Sequence, residues 1–141
     1  MNSKLNRVFV YGTLKSGQIR ESMWPHSPIE ILPMKTRGRL YDLGPYPAMT
    51  TGDDWVLGEV WRFDFDQMPA TLETLDAIEG YQNAPSDLYR RVIVTCVALH
   101  AREAEVSEES KTVEAYTFHY VQSLADSDRI AIVDGLCRWP A

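Results

Sequence analysis

The alternation of apolar and polar positions along the chain predicts mainly β-strands. Short runs rich in valine, isoleucine and aromatic residues, bounded by glycine or proline, are typical of strands. Such runs occupy residues 8–11, 37–43, 55–65, 89–100 and 113–121, with a shorter extended piece at 47–49. Residues 17–33 and 82–86 are predicted to be irregular, and the polar residues 101–111 fit a hairpin loop.

One clear helix is predicted between Asp66 and Gly80. Asp66 can cap its first turn, Pro69 is tolerated within that turn, and Gly80 is a typical stop signal. Shorter helices are predicted at residues 19–24 and after Asp126.

Glu79 occupies an unusual position on this helix. At 100° per residue it projects between Leu72 and Leu75, where the apolar stripe predicts a core residue. A buried carboxylate is costly unless it is paired, protonated or functional. Burial at a helix C-terminus also raises a carboxyl pKa toward the range of a general base. The pattern alone leaves a second interpretation open, in which the side chain turns to solvent or pairs with Arg90 or Arg91.

Five or six strands with one clear helix and no regular βαβ alternation predict an α+β fold. The sheet should be mostly antiparallel and able to close into a barrel. The 141 residues suit one domain over residues 1–141, because no linker divides the chain.

Composition and charge narrow the function classes. A hydrophobic content of 45% predicts a globular protein, and a net charge of −6 argues against nucleic acid or an anionic membrane as a main partner. No apolar run is long enough to cross a bilayer, and the polar N-terminus is unlike a signal peptide, so a cytoplasmic location is expected.

Cysteine and histidine spacing predicts no metal site. Cys96 and Cys137 form no CxxC pair and are expected to be free thiols, and the three histidines lack ligand-like spacing.

The turn that follows the first strand is a second candidate for chemistry. The strand ends at Gly12 and Gly17 follows, so successive backbone N–H groups can converge on an anionic point. The spacing is neither that of a phosphate loop nor that of a dinucleotide-binding motif, and a plain strand–turn is the simpler interpretation. A tyrosine hydroxyl near Glu79 is also expected, and Tyr120 is preferred.

Four segments together resemble the gamma-glutamylcyclotransferase-like family, which includes gamma-glutamylamine cyclotransferases and plant avirulence-induced proteins. The segments are Val8-Phe9-Val10-Tyr11-Gly12-Thr13-Leu14-Lys15, Gly38-Arg39-Leu40-Tyr41 with Tyr46-Pro47, Gly58-Glu59-Val60-Trp61, and Leu75-Asp76-x-x-Glu79-Gly80-Tyr81 followed by Leu88-Tyr89-x-Arg91. They span most of the chain in the family's order. The C-terminal segment departs from the Gly-Asp-Trp found in many members.

The resemblance implies a small mixed β-barrel, flanked by one main helix and short helices, with a cavity at one end. It implies that Glu79 is the catalytic acid/base and that Tyr120 lies in the pocket, with Tyr116 as its rival. It also implies that substrate binds to the backbone amides of one loop. The residues of that loop are Tyr11, Gly12, Thr13 and Leu14.

The activity implied by the resemblance is release of 5-oxoproline and a free amine from a small-molecule γ-glutamyl substrate, without metal or cofactor. One alternative is a binding module that holds a γ-glutamyl-like ligand without turnover. Another is an interaction protein in which the barrel is only a scaffold. The sequence determines neither the leaving amine nor the oligomeric state.

Overall fold

The computed structural model describes residues 5–99 and 112–140. Within them, five strands close into one barrel in the order β1-β3-β2-β4-β5. The strands are β1 (Arg7–Val10), β2 (Glu30–Asp42), β3 (Pro47–Arg62), β4 (Tyr89–Ala98) and β5 (Thr112–Tyr120). All neighbours pair antiparallel except β1 and β5, which pair parallel. One helix, α1 (Met68–Glu79), and 3₁₀ turns at Glu21–Met23, Phe65–Gln67 and Asp126–Asp128 flank this barrel, so the predicted α+β barrel is confirmed.

The β2–β3 hairpin is longer than the sequence pattern predicts. Its pairing runs from Glu30 opposite Arg62 to Asp42 opposite Pro47, so β2 begins seven residues before the predicted position 37 and the two predicted pieces of β3 are one strand. Pro33 interrupts the local strand signal of β2, because it cannot donate to the ladder, and the pairing register shifts between Gly38 and Arg39. Cross-strand pairing overrides these signals, since each strand satisfies the backbone of the other.

Helix α1 begins two residues after the predicted cap. Asp66 lies in the preceding 3₁₀ turn, and the residue at the N-cap is Gln67, whose side chain makes no capping hydrogen bond. The prediction that Asp66 caps the helix was therefore wrong. The predicted stop is confirmed: Gly80 has a φ of 69°, and the Tyr81 N–H donates to the Asp76 carbonyl at 2.8 Å.

Side chains of β1 alternate between two hydrophobic clusters. Phe9 belongs to the cluster inside the barrel, whereas Val8 and Val10 belong to a second cluster between the barrel and α1. Leu75 joins the second cluster, so α1 packs on the face of β1 that carries the two valines. This packing brings the C-terminal end of α1 beside the end of β1.

The C-terminal segment pairs with β3. Cys137 exchanges backbone hydrogen bonds of 2.8 Å with Trp55 and Leu57, and the Trp139 indole donates to Asp42 at 3.1 Å. Cys96 and Cys137 are buried free thiols.

The predicted hairpin loop at residues 101–111 lies outside the described residues. In the part of the chain that is described, no helix is both long and apolar enough to span a membrane.

Candidate active site

A cavity of about 170 Å³ opens where the turn after β1 meets the end of α1. Its walls include the predicted loop residues, the predicted carboxylate and two further side chains. These residues are Tyr11, Gly12, Thr13, Leu14, Glu79, Arg20 and Tyr89. The fold thus brings together most of the residues that the sequence analysis selected, although the loop and Glu79 lie more than sixty positions apart in the chain.

In the turn after β1, the carbonyl groups of residues 12–14 accept hydrogen bonds, whereas their N–H groups have no acceptor in the part of the chain that the structure describes. The Gly12 carbonyl accepts from the Lys15 N–H at 3.1 Å, the Thr13 carbonyl from the Arg20 N–H at 2.8 Å, and the Leu14 carbonyl from the Trp24 indole at 3.0 Å. No acceptor among residues 5–99 and 112–140 takes a hydrogen bond from the N–H groups of Gly12, Thr13 or Leu14, although all three residues are buried. Buried N–H groups are rarely left unpaired, so these three can bind an anionic or carbonyl oxygen.

Glycine is required at position 12 by the close approach of a neighbouring chain segment. A Cβ atom there would lie 2.7 Å from the ring carbons of Pro47, closer than real side chains pack. The turn therefore lies directly against the start of β3, and a side chain at this position would displace it.

The segment after the turn is anchored by aromatic stacking. The Trp24 ring lies 4.4 Å from the Trp61 ring, with an angle of 10° between their planes. Glu59 accepts hydrogen bonds from the Trp61 indole and from the Ser16 backbone N–H. These contacts anchor the segment that carries Leu14 and Arg20, which line the cavity.

Glu79 is the last residue of α1, and its half-buried side chain lines the cavity. Burial raises the pKa of this carboxyl group from its ordinary 4.5 to about 7, while the positive charge of Arg20 lowers it by a smaller amount. No described residue forms a hydrogen bond or ion pair with the carboxylate. The group can therefore exchange a proton near neutral pH.

The alternative pairing of Glu79 with Arg91 is not found, because another carboxylate occupies that arginine. Arg91 Nη1 lies 2.6 Å from Asp76 Oδ2, and the guanidinium also lies over the rings of Tyr81 and Tyr116. Asp76 is in the last turn of α1 and Arg91 in β4. This ion pair, which the sequence analysis did not select as functional, ties the helix end to the barrel.

The tyrosines that line the cavity are Tyr11, Tyr46 and Tyr89. Tyr89 donates to the Pro47 carbonyl at 2.7 Å, and burial raises its pKa, so the phenol stays neutral. Tyr120 does not line the cavity. Its ring instead packs edge-on against Tyr89, with 5.2 Å between centroids. A substrate-binding role for Tyr120 stays a prediction, and Tyr89 is the residue that the sequence analysis missed.

Arg20 was also missed, because it lies in a segment that was predicted to be irregular. Its half-buried side chain belongs to the cavity wall. No periodic pattern marks such a residue, since its position depends on how the segment after the turn folds over α1.

Comparison with known proteins identifies the family. The model of the family described as "Gamma-glutamyl cyclotransferase, AIG2-like" matches residues 8–139. The chain belongs to this family. The resemblance carried by the four sequence segments is thereby confirmed.

Two bacterial members of the family are similar to this chain in sequence. A Vibrio cholerae protein provisionally named a gamma-glutamylcyclotransferase is 37% identical over 89 residues, which cover 62% of this chain and 71% of that protein. The gamma-glutamylcyclotransferase family protein ytfP of Citrobacter rodentium is 38% identical over 73 residues, which cover 51% of this chain and 60% of that protein.

Solved structures share the fold. A protein of Arabidopsis thaliana, determined in solution, has a TM-score of 0.59 and 24% identity, with 89% of this chain and 74% of that chain covered. An AIG2-like protein from Mus musculus has a TM-score of 0.55 and 23% identity, with 88% of this chain and 82% of that chain covered. The five-stranded barrel with one main helix is therefore the architecture of this structural group.

Proposed function

We propose that this protein is a cyclotransferase that converts a γ-glutamyl amide into 5-oxoproline and a free amine. One observation carries the proposal: a carboxylate that titrates near neutral pH lines the same cavity as three residues whose backbone N–H groups have no acceptor, and the carboxylate has no partner either, among residues 5–99 and 112–140. The carboxylate is that of Glu79, and the N–H groups are those of Gly12, Thr13 and Leu14. A proton acceptor beside an oxygen-binding site is the combination that intramolecular aminolysis requires.

The reaction begins when Glu79 takes a proton from the α-ammonium group of the substrate. The freed amine attacks the γ-carbonyl carbon, a new C–N bond closes the five-membered ring, and negative charge develops on the carbonyl oxygen. Protonated Glu79 then gives its proton to the leaving nitrogen, the original amide bond breaks, and the ring nitrogen passes its extra proton to Glu79 or to the released amine, so that 5-oxoproline keeps one N–H. A pKa of about 7 suits both transfers, because the group can accept and return a proton at little cost.

The N–H groups of Gly12, Thr13 and Leu14 are proposed to hold the γ-carbonyl oxygen. Their hydrogen bonds strengthen as negative charge develops, which stabilises the tetrahedral intermediate more than the substrate. The turn is held by hydrogen bonds within the protein, because its carbonyl groups accept from Lys15, Arg20 and Trp24. Little reorganisation is then needed during the reaction.

The proposed chemistry needs no metal or cofactor. Nucleophile and electrophile belong to one molecule, so the protein contributes mainly orientation, proton transfer and charge stabilisation. Neutral Tyr11 and Tyr89 border the same space and complete the wall around the reacting group.

A mass-spectrometric screen for 5-oxoproline tests this function. Wild type and the Glu79→Gln variant are incubated with γ-glutamyl amino acids and γ-glutamyl amines, with Glu73→Gln, an exposed carboxylate on the same helix, as the matched control. Product from wild type and Glu73→Gln, but not from Glu79→Gln, is the expected result. Full activity of Glu79→Gln would refute the role of Glu79. Binding of 5-oxoproline without product from any substrate would favour the binding module instead.

A further inference from the structure

Arg20 presents a positive charge to the cavity that no described residue neutralises. Its backbone is fixed, since its N–H donates to the Thr13 carbonyl at 2.8 Å and its carbonyl accepts from the Met23 N–H at 3.0 Å. Its guanidinium has no hydrogen-bond or ion-pair partner among residues 5–99 and 112–140. A half-buried arginine without a protein partner is a typical site for an anionic ligand group.

The charge of Arg20 acts on the same space as Glu79. It lowers the pKa values of both Glu79 and Tyr89, so the guanidinium lies near these groups, yet it forms no ion pair with the carboxylate. The cavity therefore holds one cation and one anion that face it separately. Such an arrangement matches a zwitterion in which an ammonium and a carboxylate share one carbon atom.

We propose that Arg20 binds the α-carboxylate of the γ-glutamyl group and acts as a specificity residue for substrates that carry it. This inference rests on the proposed function, in which Glu79 receives the α-ammonium. When the α-carboxylate binds Arg20 and the α-ammonium binds Glu79, the γ-carbonyl oxygen is the group that remains to bind the N–H groups of the turn. Arg20 thus selects an intact amino-acid head group, and it restricts the substrate class to γ-glutamyl compounds with a free α-carboxylate.

A binding experiment tests the inference without turnover. The carboxylate of 5-oxoproline is the former α-carboxylate, and 2-pyrrolidinone is the same ring without it. Calorimetry would compare both ligands on wild type, Arg20→Met and Arg20→Lys, with Arg90→Met, an exposed arginine on β4, as the charge-matched control. We expect wild type and Arg90→Met to prefer 5-oxoproline by about 10- to 100-fold, the usual contribution of a charge-assisted pair.

Arg20→Met should abolish this preference, while Arg20→Lys should keep part of it, because the charge remains but the bidentate geometry is lost. An unchanged preference in Arg20→Met would overturn the inference, as would a wild type that binds no 5-oxoproline. Circular dichroism and a melting curve establish that each variant is folded.

A turnover experiment separates the α-carboxylate from a carboxylate on the leaving group. γ-Glutamylalanine carries both carboxylates, whereas γ-glutamylethylamine carries the α-carboxylate alone. Arg20→Met should lower kcat/KM for both by the same factor, measured above the pH at which Glu79 is fully ionised. A loss confined to γ-glutamylalanine would assign Arg20 to the leaving group and refute the inference. If wild type releases no 5-oxoproline from either substrate, the proposed reaction fails, and the binding comparison still decides the role of Arg20.

Discussion

Replacing Glu79 by glutamine should remove turnover and, at neutral and higher pH, make the protein more stable. The carboxyl group has a pKa of about 7 in the folded protein, raised from 4.5 chiefly by burial. Ionised Glu79 is thus held in an unfavourable environment that glutamine, with nearly the same shape and no charge, avoids.

The direction and size of the change in unfolding free energy follow from proton linkage. Between 4.5 and about 7 the folded state keeps a proton on Glu79 that the unfolded state has released. Stability contributed by this group is therefore present at low pH and is lost as pH rises through that window. At 1.36 kcal/mol per pKa unit, the total loss is about 3 kcal/mol, most of it between about pH 5 and about pH 8.

Urea unfolding at a series of pH values measures this effect. The difference in unfolding free energy between Glu79→Gln and wild type should be small near about pH 5 and should grow by about 2–3 kcal/mol toward about pH 8. Glu73→Gln, which removes an exposed carboxylate from the same helix, should follow wild type across the range. A constant difference between Glu79→Gln and wild type would refute the assignment of a desolvated carboxylate to this cavity.

Three further predictions concern the proposed reaction and the contacts that position its groups. The kcat/KM profile should rise with pH and level off above about 7, because Glu79 acts as a base only when ionised; a flat profile through that region would contradict this. Gly12→Ala should lower kcat/KM at least about tenfold with the fold retained, because its methyl group meets Pro47; circular dichroism checks the fold. Asp76→Asn should cost about 1–3 kcal/mol in urea unfolding and slow turnover, because it breaks the link to Arg91.

Matched substitutions separate these effects from general damage. Ser16→Ala changes an exposed side chain in the same turn as Gly12 and should leave turnover unchanged. Asp66→Asn removes an exposed carboxylate near the start of α1 and should leave stability unchanged, in contrast to Asp76→Asn. If Ser16→Ala lowered kcat/KM as much as Gly12→Ala, the contact with Pro47 would not be the cause. If Asp66→Asn lowered the free energy of unfolding as much as Asp76→Asn, the contact with Arg91 would not be the cause.

Much of the fold was predictable because its signals are local. Alternating apolar residues marked the strands, and Gly80 marked the end of α1, where a left-handed residue is required. The full length of the β2–β3 hairpin was not predictable, since Pro33 and the register shift after Gly38 break the local pattern while pairing between the strands restores it. The sequence also could not predict which tyrosine lines the cavity, because Tyr89 and Tyr120 lie opposite each other in one strand pair.

The sequence by itself determined that a carboxylate would lie on the apolar face of a helix, because helical periodicity depends only on spacing along the chain. It also determined, through its four family segments, which loop would accompany that carboxylate. Tertiary structure alone decided that Glu79 would have no ion-pair partner among the described residues, since Arg91 pairs with Asp76 across the junction of helix and barrel. It likewise decided that Gly12, Thr13, Leu14 and Arg20 would line the same cavity. Hydrogen-bond partners and desolvation are properties of residues distant in sequence, so only the folded chain specifies them.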